Sequence, residues 1–133
     1  MERINKYPDV QFLVIINPNS GPGNNSIMDP NFARELPKLN AKSNVHTIGY
    51  VRTGWATRDR RVVLDEVSNY ASWANNNTAD YELHGIFFDE TPNNYSVQGE
   101  DYMKNIDNYV KTHNGFGRVN YVCTCRVDQT DLM

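Results

Sequence analysis

The residues best placed to do chemistry in this sequence are two adjacent carboxylates, Asp89 and Glu90. They follow the apolar run Gly85-Ile86-Phe87-Phe88, which is typical of a buried strand in a parallel sheet. Pro92 ends the strand, because proline cannot donate to a sheet. Ligands of barrels and open α/β sheets bind at the carboxyl ends of strands. The segment therefore predicts an acid-dependent active site of the kind that cleaves a sugar polymer.

Glycoside hydrolysis uses two carboxyl groups, about 5 Å apart in retaining enzymes and roughly 6.5–9.5 Å apart in inverting ones. Neighbouring strand residues point to opposite faces, so Asp89 and Glu90 cannot form that pair alone unless the backbone twists at the strand's end. We favour Glu90 as the general acid and Asp89 as the carboxylate that stabilises or positions the sugar, with another strand supplying an acid. The alternative is structural: Asp89 caps the following loop and Glu90 is merely solvated.

Five further residues are candidates for substrate binding. Asn17, Tyr50 and Thr53 fall at or just past predicted strand ends, where they could hydrogen-bond sugar hydroxyls or amines. Trp55 and Tyr95 lie on loops beside those ends and could stack on a sugar ring. Two alternatives stay open: Asn17 could form an Asx turn, and Tyr50 could belong to the core.

Other catalytic arrangements find little support. His46 and His84 lie inside or at the start of strands, the wrong end for catalysis in this kind of sheet, and His113 lies near a helix end, so no catalytic histidine is assigned. The sequence has no Gly-x-Ser-x-Gly elbow. The loop Ser20-Gly21-Pro22-Gly23 lacks the Lys and Ser/Thr of a phosphate-binding loop. Trp73, on a helix face, is expected in the core.

The two cysteines do not indicate a metal or redox site. Cys123 and Cys125 are separated by one residue, whereas zinc ligands are usually two to four residues apart and need a second pair. We therefore predict neither a metal nor a cofactor.

Apolar periodicity predicts the elements that position these residues. Strands are predicted at 10–16, 45–51, 81–88 and 118–124, and helices at about 29–39, 58–74 and 97–112. Asp29 is the expected N-cap of the first of these three helices, with Pro30 at its first position. Alternation of strand and helix predicts an α/β fold with a parallel sheet and right-handed crossovers.

Composition limits the partners. The chain has 133 residues, enough for one domain, and a net charge of −3 without blocks of like charge, which argues against a nucleic-acid or anionic-membrane partner. No apolar run is long enough to span a membrane. The first residues lack the apolar core of a signal peptide, whereas the sequons at Asn24, Asn76 and Asn94 point towards secretion, although an Asn-rich chain also produces such triplets by chance.

Three segments in order resemble the spherulin-4 family, also called spherulation-specific family 4. They are Ile16-Asn17-Pro18-Asn19-Ser20-Gly21-Pro22-Gly23, Ile48-Gly49-Tyr50-Val51-Arg52-Thr53 and Gly85-Ile86-Phe87-Phe88-Asp89-Glu90. The resemblance implies a (β/α)8 barrel that hydrolyses galactosamine-containing polysaccharide, with its central Asp-Glu pair at Asp89 and Glu90. It also implies an aminosugar polymer as partner and a secreted or cell-surface location for an intact homologue.

The resemblance also implies that part of the barrel is missing. Such a barrel takes roughly 250 residues, so 1–133 reads as a fragment of one domain, a partial barrel of about four βα units. The family-like part is 7–122 and 123–133 is a divergent tail. A later acid used by the family would be absent, so we expect little or no activity from this chain. The alternatives are a non-catalytic carbohydrate-binding or cell-surface protein, or a chain that does not fold stably; the oligomeric state is open.

Overall fold

The computed structural model describes residues 1–23 and 28–124. Its elements are α1 (Glu2–Lys6), β1 (Phe12–Ile16), α2 (Pro30–Asn40), β2 (Val45–Arg52), α3 (Arg60–Ser72), a short 3₁₀ helix (Trp73–Asn75), β3 (Leu83–Asp89), α4 (Val97–Thr112) and β4 (Phe116–Thr124). The first sequon, Cys125 and the rest of the tail lie outside the described residues.

The predicted elements are present, with small shifts at their ends. Asp29 caps α2 as predicted, because its carboxylate accepts a hydrogen bond from the Asn31 N–H at 2.8 Å. The strand predicted from residue 81 begins at Leu83, and the strand predicted from residue 118 begins at Phe116. Apolar periodicity therefore located the elements, while their ends depend on turns that it does not describe.

The four strands form one parallel sheet in the order β1-β2-β3-β4. Each new strand is added on the same side of the previous one, as in a (β/α)8 barrel; a doubly wound sheet reverses its order partway. The prediction of an α/β fold built as a partial barrel of about four βα units is thus confirmed.

One face of the sheet is packed against the helices. At Gly49 an added Cβ would lie 2.8 Å from the ring of Tyr70 on α3, so β2 and α3 approach closely there. The core also contains Trp73, as predicted, whose ring meets that of Tyr70 edge to face. Buried strand residues of this face include Ile16, Val51, Ile86 and Phe88.

The opposite face, here called the inner face, carries the alternate strand residues. These are Leu13, Ile15, Ile48, Tyr50, Phe87 and Asp89, as the strand register and alternation require. The rings of Tyr50 and Phe87 are neighbours on it, with centroids 6.1 Å apart. In a barrel this face is the interior.

None of the helices in the described part of the chain combines the length and the apolar character that crossing a membrane requires.

The hydroxyl of Tyr70 links α3 to the ends of two strands. It donates to the carbonyl oxygen of Tyr50 at 2.9 Å and lies 3.2 Å from that of Ile16. Because Tyr70 is fully buried, no water can replace this donor when it is removed.

We therefore expect Tyr70→Phe to lower the free energy of unfolding by about 1–3 kcal/mol, the cost of leaving buried acceptors without a donor. Urea denaturation followed by circular dichroism measures this change. Tyr7→Phe is the matched control, because Tyr7 is 48% exposed and the loss of its hydroxyl should change stability little. Equal stabilities of the two variants would show that the Tyr70 hydroxyl does not hold the strand ends.

Candidate functional site

The candidate site lies at the rim where the carboxyl ends of the strands meet. Strand β2 ends at Arg52 and β3 ends at Asp89, and these two residues are register partners. Asn17 directly follows β1. The parallel register thus brings the ends of three sequence segments to one edge of the sheet.

Asp89 is held by Tyr50 across the inner face. The Tyr50 hydroxyl donates to Asp89 Oδ2 at 2.6 Å. Burial, and then this hydrogen bond, raise the pKa of Tyr50 to about 12. Tyr50 therefore stays a neutral donor at ordinary pH and fixes the orientation of the Asp89 carboxylate.

Glu90 adopts a left-handed backbone conformation with φ of 55°. Regular strand alternation therefore stops at this residue, and the twist that the sequence left open occurs here. Two donors from the end of β2 hold its carbonyl oxygen: the Trp55 N–H and the Thr53 hydroxyl, the latter at 2.7 Å. The Thr53 N–H also donates to the Asp89 carbonyl oxygen at 3.0 Å. We call these three hydrogen bonds the clamp.

The turn that carries Trp55 is itself left-handed. Gly54, Trp55 and Ala56 have φ values of 57°, 54° and 64°. Residues with a side chain pay of order 1–2 kcal/mol each for this conformation, so the surrounding structure must impose it. The turn is closed by Thr57, whose N–H and hydroxyl both donate to the Gly54 carbonyl oxygen.

An ion pair between Arg58 and Glu66 contacts the end of β2 next to this turn. The Arg58 guanidinium makes two hydrogen bonds of 2.7 Å to the Glu66 carboxylate and one of 3.0 Å to the Arg52 carbonyl oxygen. Both side chains are mostly buried, and this bidentate geometry is the strong form of such a pair. The Glu66 hydrogen bond raises the pKa of Arg58.

Two exposed aromatic side chains stand beside the clamp. Trp55 is 56% exposed and Tyr95 is 74% exposed. Tyr95 is nevertheless oriented, because its hydroxyl donates to Glu100 Oε2 at 2.8 Å. Both aromatics line a cavity of about 470 Å³, and Tyr95 also lines a neighbouring cavity of about 380 Å³ that reaches Met103. Aromatic surface in a cavity is suited to a sugar ring, and the carboxylate that lines the second cavity is that of Glu100, not of Asp89 or Glu90.

The predicted site residues thus differ in what their side chains do. Tyr50, Asp89 and Glu90 lie together at the rim, with Trp55 beside them. Thr53 is fully buried, and its hydroxyl donates one of the hydrogen bonds of the clamp. The Asn17 side chain accepts a hydrogen bond from the Gly21 N–H at 3.0 Å, within its own loop. The roles assigned to all seven residues in catalysis or substrate binding stay predictions.

Sequence reasoning missed Arg58, Glu66 and Glu100. The Arg58–Glu66 spacing of eight residues joins a loop to the second turn of a helix, and no sequence pattern marks such a pair. The sequence places Glu100 in the first turn of α4, where a negative charge interacts favourably with the helix dipole. It gives no sign of the hydrogen bond that Glu100 accepts from Tyr95. Among residues 1–23 and 28–124, no cluster of three or more His, Cys, Asp or Glu could hold a metal ion.

Comparisons with known proteins found a matching family, a related sequence and a similar solved structure. Residues 1–125 match the model of the spherulation-specific family 4. Spherulin-4 of Physarum polycephalum is 33% identical over 108 residues, which are 80% of this chain and 29% of that protein. The crystal structure of Aspergillus clavatus Sph3 in complex with GalNAc is similar at 40% identity and a TM-score of 0.88, covering 92% of this chain and 49% of that one. The chain therefore spans less than a third of one relative and about half of the other.

The Tyr50–Asp89 hydrogen bond makes a titration prediction. Asp89→Asn removes the charged acceptor, so the pKa of Tyr50 should fall from about 12, while burial, the larger cause, keeps it above the ordinary value of about 10. Nuclear magnetic resonance of ¹³C-labelled tyrosine rings over pH 8–13 measures this pKa.

Glu100→Gln is the matched control. It removes the carboxylate that accepts from Tyr95 and should leave the pKa of Tyr50 unchanged. A Tyr50 pKa that is the same in Asp89→Asn and in the unaltered chain would show that the two side chains are not paired in solution.

Proposed function

The chain belongs to the spherulation-specific family 4, and on that basis we propose that its rim is part of the site of a glycoside hydrolase acting on galactosamine-containing polysaccharide. The observation that carries the proposal is the clamp, which fixes the backbone of Asp89 and Glu90 beside an exposed tryptophan, while the Tyr50 hydroxyl orients the Asp89 carboxylate. Fixed acids at strand ends together with a stacking surface are the features that cleavage of a sugar chain requires.

In this proposal the two carboxylates have different roles. Glu90, at the open end of the rim, donates a proton to the glycosidic oxygen as the bond to the anomeric carbon breaks. Asp89, oriented by Tyr50, stabilises the positive charge that develops on the sugar. A further acid from outside the described residues either activates the water that bonds to the anomeric carbon, or bonds to that carbon as a nucleophile and forms a glycosyl ester that water then hydrolyses.

The proposed substrate class rests on both chemistry and similarity. Trp55 and Tyr95 offer apolar faces for the rings of successive sugar units, and the nearby carboxylates can accept hydrogen bonds from amine or amide groups. The complex of Sph3 with GalNAc supports an aminosugar. A polymer of this kind outside the cell is consistent with the secreted or cell-surface location that we propose for the intact protein.

A second candidate function is carbohydrate binding without hydrolysis. It is favoured by one observation: the described sheet has four strands, whereas a complete barrel has eight. A partial barrel could keep the stacking surface while lacking an acid needed for turnover.

The two functions are separated by pairing a hydrolysis assay with a binding assay. Incubated with galactosamine-containing polysaccharide, the chain should release reducing ends far more slowly than a full-length family member does, and Asp89→Asn and Glu90→Gln should each abolish that release. If release persists in both variants, the acids are not catalytic. Binding that both variants retain, with no release from the unaltered chain, identifies the binding protein.

Trp55 should dominate binding if the rim holds the sugar. We expect Trp55→Ala to weaken the affinity for GalNAc oligosaccharides about tenfold or more, because burying one aromatic face contributes on the order of 1.4 kcal/mol or more. Isothermal titration calorimetry measures this loss. Tyr7→Ala, which removes an aromatic of similar exposure from the far end of the fold, is the control and should bind normally. Equal affinities would place the sugar elsewhere.

A further inference from the structure

We propose that Asn76 is the attachment site of an N-linked glycan and that Asn94, which also begins an Asn-x-Ser/Thr sequence, stays unmodified. The proposal rests on the secreted or cell-surface location proposed above, because N-linked glycans are added to chains that enter the secretory route. It does not depend on the rim being catalytic.

Asn76 lies in the loop between the 3₁₀ helix and β3. It directly follows the 3₁₀ helix (Trp73–Asn75), and β3 begins at Leu83. Asn76, Asn77 and Thr78 are all exposed. The three residues of the Asn-x-Thr sequence that a transferase recognises are therefore together on a surface loop.

This loop has its neighbours on both sides among the described residues. In the strand order β1-β2-β3-β4, it lies between the α2–β2 loop and the α4–β4 loop, and both of these loops are described. Further strands of a barrel would be added beyond β1 or β4, away from this position. Asn76 is therefore exposed with its neighbouring loops in place.

The side chain of Asn76 directs its amide nitrogen away from the loop. The Oδ1 atom accepts hydrogen bonds from the Thr78 hydroxyl at 2.7 Å, the Thr78 N–H at 2.8 Å and the Ala79 N–H at 3.1 Å. Because two of these donors are backbone N–H groups, the atom that faces them must be the oxygen. The nitrogen Nδ2 is on the other side of Cγ. A sugar on Nδ2 leaves all three hydrogen bonds intact, so the loop is compatible with the modified residue.

The transfer requires a lipid-linked oligosaccharide pyrophosphate as the sugar donor. Nδ2 of Asn76 bonds to the anomeric carbon of the first sugar as the bond from that carbon to the pyrophosphate oxygen breaks. The lipid pyrophosphate leaves with the electron pair, and the nitrogen loses one proton to a base of the transferase.

The surroundings of Asn94 are unfavourable for the same modification. Asn94 lines both cavities beside the candidate site, and Trp55 lines one of them. A glycan on Asn94 would therefore occupy the cavity that the proposed function gives to the substrate. Ser96, the third residue of this sequence, is the N-cap of α4, and its hydroxyl accepts from the Gly99 N–H at 2.9 Å. Drawing this segment into a transferase would leave that N–H without its acceptor.

A glycan on Asn76 would be far from the rim. The loop precedes β3, whereas Asp89 is the last residue of that strand. The seven residues of β3 span on the order of 20 Å. A bulky, solubilising group on Asn76 therefore leaves the rim accessible to a polymer.

Expression of the 133-residue chain in a eukaryotic host, behind a secretion leader that the host removes, tests the proposal. Protein purified from cells and medium is treated with peptide N-glycosidase in ¹⁸O-labelled water, which converts a glycan-bearing Asn into ¹⁸O-labelled Asp. Cleavage after glutamates separates the two sites into peptides 67–82 and 91–100, and mass spectrometry locates the label. We expect the label in 67–82 and none in 91–100. An unlabelled 67–82 or a labelled 91–100 overturns the proposal.

Two variants of Thr78 show whether the label depends on the acceptor sequence. Thr78→Ala removes the hydroxyl and should abolish the label in 67–82, whereas Thr78→Ser is the matched control and should retain it. A label that persists in Thr78→Ala contradicts the proposal. Should that variant fail to fold by circular dichroism, the peptides of the unaltered chain still decide the outcome.

The result is independent of the other proposals. Because the leader supplies the secretory route, an unmodified Asn76 is a failure of the site itself and not of the proposed location. The label is read without any hydrolysis of polysaccharide, so the proposed activity and the proposed modification can each fail alone.

Discussion

The rest of the structure depends on one constraint: the helices that connect the parallel strands cover a single face of the sheet. This face is closed by tight packing, most clearly where the Tyr70 ring lies against Gly49 and leaves no room for a Cβ. Because each crossover adds its strand on the same side, the sheet curves as an arc of a barrel. The helix face is therefore closed by packing, and the inner face carries the Tyr50–Asp89 hydrogen bond of the candidate site.

The site follows from this arrangement at the strand ends. Parallel register brings the end of β2 beside the end of β3, and the clamp ties their backbones together. Left-handed conformations at Trp55, Ala56 and Glu90 cost free energy, which the hydrogen bonds of the clamp and the Arg58–Glu66 pair offset. These interactions therefore hold the backbone beside Asp89 and Glu90 in one conformation.

Much of this architecture was readable in the sequence. Continuous apolar runs located the strands, Asp29 marked the start of α2, and the position of Asp89 and Glu90 after a buried strand predicted their place at the rim. The local pattern of the sequence cannot reveal contacts that depend on how neighbouring strands are aligned in the sheet. The Tyr50–Asp89 bond joins residues 39 apart in the chain, and nothing in the sequence indicates that Trp55 and Ala56 adopt left-handed conformations. Thr53 was read as a polar group at a strand end, and the structure shows its hydroxyl turned inward to the clamp.

The inner face and the candidate site at the rim are physically connected. Phe87 lies beside Tyr50 on the inner face, and Tyr50 in turn holds Asp89, so the packing of apolar side chains below the rim helps to set the orientation of the carboxylate above them. The burial that raises the pKa of Tyr50 comes from the same surroundings. Ile48, on the same face as Tyr50, is fully buried, so part of this surface is shielded from water, and a hydrogen bond to a carboxylate strengthens as the local dielectric falls. The packing on the inner face and the orientation of the Asp89 carboxylate are therefore coupled in this fold.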